Sequence, residues 1–264
     1  MGILRHITPN MPLHKYPLVQ DYIERIHLVR NQLMSAMSSF ESLWPSYHSQ
    51  KLLRKINENN DIVVFNIIRS GMFHSFSLRI INLVYEPDKE LFSLIQIVDS
   101  LQLYPKEGGM FDPQNKLMGE LYDFFVQPNR QPIADEQSNK EAIAKDKDRL
   151  DGLLTGISEL VYSLKKEKKR FLSFRGDLLA HTGMDEVKKR ILTIGDFDKK
   201  FRKTVTMEDF RNLLQKAINL LVELDRLAIF PFYNKAWYKS IRELAAKYWE
   251  IDITDLAPEL SGIL

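Results

Sequence analysis

The sequence predicts an all-α fold, and three observations support this prediction. Apolar residues recur at three- and four-residue steps through most of the chain, which is the spacing of one face of an α-helix. Prolines fall between these periodic segments, where they end one helix or begin the next. The chain has 264 residues, of which 44% are hydrophobic, so it carries enough apolar material for a large core.

The N-terminal half contains two strong helical segments. The first follows Pro17, a residue favoured at the first helical position, and continues along one apolar stripe to Pro45. A short amphipathic piece at 52–56 comes next. Segment 61–86 is apolar on nearly every side at first, and 62–65 alone could be a strand. Because no turn signal interrupts it before Pro87, we predict a buried helix.

The C-terminal half continues the pattern. Short helices are expected at 91–98 and 117–125, separated by a Pro- and Gly-containing loop at 105–115. A long helix begins near Ile133 and presents a core face from Leu150 to Leu164. A short helix is expected at 185–192. Thr206 and Asp209 have the spacing of a capping box before a helix that reaches about 228, and a last helix covers about 234–249.

The chain shows no internal repeat and no low-complexity linker between two cores. We therefore predict an up-and-down helical bundle at 17–230 with additional helices. An N-terminal arm at 1–16 precedes the bundle, and a C-terminal helix and tail at 231–264 follow it.

Several function classes are excluded by what the sequence lacks. There is no cysteine, which removes disulfides and thiolate chemistry. Gly108 and Gly109 are not followed by the Lys-Ser/Thr of a phosphate loop, and the six histidines have no metal-ligand spacing. Because these motifs are missing, we expect no metal and no cofactor. We also expect no membrane anchor and a cytoplasmic location, because neither a signal segment nor a long apolar run is present.

The charge is unevenly distributed. Between 165 and 203 the chain has 13 Lys/Arg and 6 Asp/Glu, a local charge of +7, so the remainder carries about −5 of the net +2. Such a block suggests an anionic partner such as RNA. The candidate RNA-binding residues are Lys165, Lys166, Lys168, Lys169, Arg170, Lys188, Lys189 and Arg190. A solvated helix face is the simpler interpretation of the first five.

One constellation within this block could carry chemistry. Arg175 and His181 lie six residues apart in the segment 174–183. An arginine is always positively charged and can bind a phosphate through two N–H groups. A histidine exchanges a proton near neutral pH. On one ideal helix the two side chains would lie about 120° apart, so convergence needs a helix break or a second subunit. Gly176 and Gly183 are two positions where the helix could break.

The Arg175…Ala180-His181 string, placed after a long amphipathic helix, resembles the HEPN superfamily of helical proteins and most closely its abortive-infection (AbiU-type) branch. The resemblance implies a homodimer in which two such motifs form one composite cleft. It also implies a metal-independent endoribonuclease acting as a toxin or in phage defence, with an antitoxin or neighbouring-gene protein as a partner. Arg175 would stabilise phosphate charge in the transition state, and His181 would act as general base or acid.

The residue after the arginine departs from the family pattern. Active members usually carry a polar residue there, whereas this chain has Gly176; Asp177 could compensate one position later. The alternative is a catalytically inactive dimerisation or RNA-binding module of the same fold. In a purely structural interpretation, Arg175 pairs with Asp177 and His181 caps the carbonyls of the last helical turn.

Overall fold

The fold is described from a computed structural model. It covers residues 13–58, 62–86, 92–101, 115–126, 136–180, 184–185, 190–191, 205–227 and 235–260. These ranges form an all-α bundle, as the apolar periodicity predicts. The domain division at 17 and 231 stays a prediction.

The N-terminal half folds into four helices. The first, α1, spans Pro17–Leu43 and is followed by the single turn α2, Pro45–His48. Helix α3 spans Gln50–Glu58, and α4 spans Ile62–Tyr85. A 3₁₀ turn, Leu13–Lys15, precedes α1. The prediction of a helix rather than a strand at 62–65 is confirmed.

The second half contains the longest helix. Short helices α5, Leu94–Ser100, and α6, Lys116–Val126, precede α7, which spans Glu136–Ala180. Helix α8 spans Met207–Leu227, α9 spans Lys235–Trp249, and a 3₁₀ turn follows at Ile253–Asp255. The capping box before α8 is confirmed: the amide of Thr206 donates to the Asp209 carboxylate at 2.8 Å, and the amide of Asp209 donates to Thr206 Oγ1 at 3.1 Å.

The prediction of a short helix at 185–192 is wrong. Met184–Asp185 forms a two-residue strand, β1, that pairs antiparallel with β2, Arg190–Ile191. Apolar residues four positions apart fit one helical face, but they do not exclude a pair of short strands. The loop expected at 105–115 lies almost wholly outside the described residues.

The core lies between α1, α4, α7 and α8, and aromatic rings fill its centre. Phe210 of α8 is fully buried, and its ring centroid lies 5.5 Å from Phe76 of α4, 5.5 Å from Phe171 and 5.6 Å from Phe174 of α7. Such ring pairs add to the stability that apolar burial provides. The hydroxyl of Tyr85 donates to the Leu164 carbonyl at 3.0 Å and ties the end of α4 to α7.

Helix α9 is anchored on α1 by a buried ion pair. Arg242 donates to both carboxylate oxygens of Glu41, at 3.1 and 3.2 Å, and the Tyr238 hydroxyl donates to the same carboxylate at 2.7 Å. Burial raises the pKa of Glu41, although Arg242 and Tyr238 oppose this rise. The amide of Leu260 donates to the Tyr238 hydroxyl at 3.2 Å, which connects the tail to the same cluster.

Helix α4 is not buried throughout, so that part of the sequence prediction is wrong. Its second half enters the core, where Phe76, Ile80 and Val84 are fully buried. In its first half, Val63 and Ile67 are 66% and 55% exposed to solvent. An apolar helix segment is usually buried, but the sequence does not say whether its own chain provides the cover.

Candidate functional site

Arg175 lies near the C-terminal end of α7, where the helix crosses the last turn of α4. Its Nη1 donates to Asn82 Oδ1 at 2.9 Å and to Glu86 Oε2 at 3.2 Å. The side chains of Arg175 and Glu86 are 22% and 11% exposed, so the ion pair is largely sheltered from water. The guanidinium is therefore held in one place by two acceptors before any ligand binds.

The placement of Arg175 follows from its neighbours on α7. Phe171 and Phe174 are buried against Phe210, which fixes the rotation of α7 about its axis. Residue 175 follows Phe174 by one position and comes one turn after Phe171, so it lies at the edge of the core-facing side. There it meets α4, whose Asn82 and Glu86 are one turn apart.

Gly176 does not break the helix. Helix α7 continues through it to Ala180, and an added Cβ at this exposed position would have no atom within 4 Å. Asp177 is also part of α7, and its side chain lies outside the described structure. His181, the next residue after the end of α7, and Gly183 lie outside the described residues, so the Arg175–His181 geometry stays a prediction.

The structural interpretation in which Arg175 pairs with Asp177 stays a prediction, because the Asp177 side chain lies outside the described structure. The described contacts of Arg175 run between helices, to Asn82 and to Glu86, which lies 89 positions away in sequence. Neither Asn82 nor Glu86 was among the predicted site residues. The signal for them was present: two polar residues four positions apart interrupt the end of an otherwise apolar helix, just before Pro87.

Two cations of the basic run are paired with carboxylates on other helices. Lys165 Nζ lies 2.9 Å from Asp99 of α5, and Arg170 Nη2 lies 2.5 Å from Asp209 of α8. Although burial raises it, the pKa of Asp209 is lowered overall by hydrogen bonds from Thr206 and Arg170. These two ion pairs link α7 to α5 and α8, and whether the run as a whole is a solvated face or an RNA contact stays a prediction.

The rest of the run includes an exposed strip on α7. Lys166 and Lys169 are exposed, and the ammonium of Lys166 lies 4.4 Å from the ring centroid of Tyr162, itself 64% exposed. Lys168 is half-buried. Counting 100° per residue, Arg175 lies roughly 120° around the helix from Lys169 and roughly 180° from Lys166, so the strip and the guanidinium occupy different sides of α7.

The other three basic candidates are described only in part. Lys188 and Lys189 lie outside the described residues, and of Arg190 only the backbone, in β2, is described. The described side chains contain no group of three His, Asp or Glu residues that could hold a metal ion. Within the same ranges, none of the helices combines the length and apolar character that crossing a bilayer demands.

No protein-family model, curated protein or solved structure matches this chain.

Proposed function

We propose that this protein is a metal-independent endoribonuclease of the HEPN type, active in the cytoplasm in phage defence or as a toxin. One observation carries the proposal: Arg175 is held at the end of a long bundle helix by Asn82 and Glu86, six positions before His181 in sequence. A cation fixed before the substrate binds is suited to stabilise charge that develops on a phosphate.

The chemistry follows from the two side chains. His181 removes the proton of a ribose 2′-hydroxyl, the 2′-oxygen bonds to the adjacent phosphorus, and the bond from phosphorus to the 5′-oxygen breaks. The leaving oxygen takes a proton from a second imidazolium, which a homodimer supplies. Arg175 uses Nη1 for both described contacts, which leaves Nη2 and Nε to donate to the phosphate.

The test is RNA cleavage by wild type, Arg175→Ala and His181→Ala, each incubated with total RNA in the presence of a chelator. Arg226→Ala is the matched control, because Arg226 makes an exposed pair with Glu223 within α8. We expect cleavage by wild type and the control, and a loss of at least about a hundredfold in the other two. Equal cleavage by all four proteins, or by none, contradicts the proposal.

The second candidate function is an interaction module that keeps the bundle and lacks catalysis. The Glu86 carboxylate already neutralises Arg175, and Gly176 stands where active relatives of the family carry a polar residue. In this case Arg175→Ala leaves RNA cleavage absent and phenotype unchanged, while dimer or antitoxin binding persists. Toxicity that disappears with Arg175→Ala or His181→Ala rejects it.

RNA binding without turnover is a variant of the second candidate, and the strip of Tyr162, Lys166 and Lys169 favours it. Each phosphate contact contributes about one unit to the slope of binding affinity against salt concentration. Replacing both lysines by alanine should therefore reduce the slope by about two units. Replacing Lys165, which already pairs with Asp99, should change it less. If the slope is the same in all variants, the strip does not bind RNA.

A further inference from the structure

The first half of α4 carries the largest cluster of exposed aliphatic residues in the described part of the chain. Its members, with exposed fractions from 42% to 66%, are Ile62, Val63, Val64, Ile67 and Ile68. No ionisable residue interrupts the stretch. Isolated exposed apolar residues are ordinary, but a contiguous set of five on two helical turns marks a surface that another element covers.

The apolar surface extends beyond α4 to the end of α9. A groove of about 490 Å³ separates the two helices, and Leu52 of α3, Val64, Ile68 and Tyr248 are among its lining residues. On the far side of Tyr248 a second groove of about 600 Å³ is lined in part by Leu244. Leu244 and Tyr248 are 65% and 63% exposed. We call the five aliphatic residues of α4 with Leu244 and Tyr248 the α4 face.

The extent of the α4 face matches half of a stable interface. The exposed fractions of its seven residues correspond to roughly 750 Å² of accessible surface, close to the roughly 800 Å² that each partner contributes to an interface of standard size. The charges at the rim of the first groove neutralise each other, because Lys55 donates to Glu250. The α4 face therefore suits an apolar surface, although the exposed Lys247 lines the second groove.

Gly71 lies on the same side of α4, one turn after Ile67 and Ile68. It is exposed, and an added Cβ would have no atom of its own chain within 4 Å. A glycine inside a helix costs about 0.5–1 kcal/mol relative to alanine, and packing within the chain does not account for it here. A second backbone that approaches this position closely would account for it.

We propose that a second copy of this chain packs on the α4 face. The face has a ridge, formed by Val63 and Ile67, directly beside the groove that Val64 and Ile68 line. In a twofold interface the same patch meets itself, so the ridge of each copy lies in the groove of the other. Equal apolar composition and neutral charge on both sides follow from the identity of the chains, and Gly71 permits the two α4 backbones to approach.

This interface is separate from the composite cleft of the proposed function, and the inference does not rest on that function. Ile67 and Asn82, which holds Arg175, are fifteen positions apart on α4, or about 22 Å along the helix. A twofold axis at the α4 face therefore leaves the two Arg175 side chains far apart. If both interfaces form, the protein is a dimer of dimers.

The test compares the solution mass of wild type with that of Ile67→Asp by sedimentation equilibrium and light scattering. Leu28→Asp is the matched control, because Leu28 is 51% exposed on α1 and lines neither groove. The monomer has a mass of 30.9 kDa. We expect an oligomer for wild type and the control, and half that mass for Ile67→Asp, with a loss of at least about a hundredfold in association constant.

Two further α4 variants and one α7 control guard against an effect on folding. Val63→Lys introduces the opposite charge on the same ridge, and Gly71→Leu fills the space between the α4 helices while Gly152→Leu adds the same side chain to exposed α7. We expect the two α4 variants to weaken association with an unchanged circular dichroism spectrum, and the α7 variant to associate normally. A monomeric wild type at about 100 µM, or an unchanged mass in Ile67→Asp, overturns the proposal. RNA cleavage is measured separately and does not enter this outcome.

Discussion

Replacing Arg242 with Met leaves the Glu41 carboxylate buried without its ion-pair partner, and the expected cost depends on pH. Glu41 is fully buried, and Arg242 donates to both of its oxygens. Methionine retains much of the apolar stem of the arginine, so the packing of α9 on α1 changes little. Loss of one member of a buried pair typically costs about 3–5 kcal/mol because it leaves an unpaired charge.

Protonation of Glu41 limits this cost. Burial already raises the pKa of Glu41 above its ordinary value of 4.5, and removal of Arg242 takes away the strongest opposing influence. At pH 7, protonation of a carboxyl whose unfolded pKa is 4.5 requires about 3.4 kcal/mol, at about 1.36 kcal/mol per unit. At pH 5 the same step requires about 0.7 kcal/mol. The loss of stability should therefore be about 3 kcal/mol or less at pH 7 and below about 1 kcal/mol at pH 5.

The direction of the pH dependence follows from linkage. When the folded pKa of a carboxyl exceeds its unfolded pKa, the folded state binds more protons between the two values. Its stability then falls as pH rises through that window. The wild type shares the direction, since the pKa of Glu41 is raised there too, but the variant should show the steeper fall above about pH 4.5.

The assay is urea unfolding followed by far-ultraviolet circular dichroism at pH 5 and pH 7. Lys239→Met is the control, because Lys239 makes an exposed pair with Glu243 on the same helix and should cost at most about 0.5 kcal/mol. In the double variant Glu41→Gln, Arg242→Met the part of the pH dependence that Glu41 contributes should disappear. An equal cost of Arg242→Met at the two pH values refutes the reasoning.

Three further expectations concern the core and the ion pair that holds Arg175. Phe210→Ala should lower the free energy of unfolding by about 3–5 kcal/mol in urea titrations, because its ring is fully buried among four other described rings; a loss below about 1 kcal/mol contradicts this packing. Thr206→Ala should cost about 1 kcal/mol in the same assay, because it removes the cap of α8; an unchanged midpoint contradicts the cap. Glu86→Gln should lower the free energy of unfolding by about 1–2 kcal/mol. The same substitution should cost less in a protein that already carries Arg175→Met, because the contact is then already lost. Additive costs contradict the contact between Arg175 and Glu86.

The helices were predictable from sequence because their signals are local. Pro17 at the start of α1 and the capping pair Thr206 and Asp209 act within one helical turn of the residues that they organise. The strand pair of β1 and β2 was not predictable in the same way. Its pairs, Met184 with Ile191 and Asp185 with Arg190, join residues seven and five positions apart, and apolar spacing does not reveal such pairing.

The site was predictable only in part. The basic block and Arg175 are visible in the sequence, but the residues that hold Arg175 come from a helix that lies about 90 positions earlier. Contacts of that kind depend on how α7 rotates against α4, which the ring cluster around Phe210 determines. The exposure of Ile67 was missed for a related reason, since periodicity shows which residues need cover and not which surface provides it.

The most direct test of the central claim is RNA cleavage in the presence of a chelator by wild type and His181→Ala, with both proteins shown to be folded by their urea midpoints. The proposed chemistry requires that wild type produces fragments ending in a 2′,3′-cyclic phosphate, because the 2′-oxygen attacks the adjacent phosphorus. It also requires that His181→Ala produces almost none. Fragments from both proteins in equal amount, or intact RNA with both, would contradict the account.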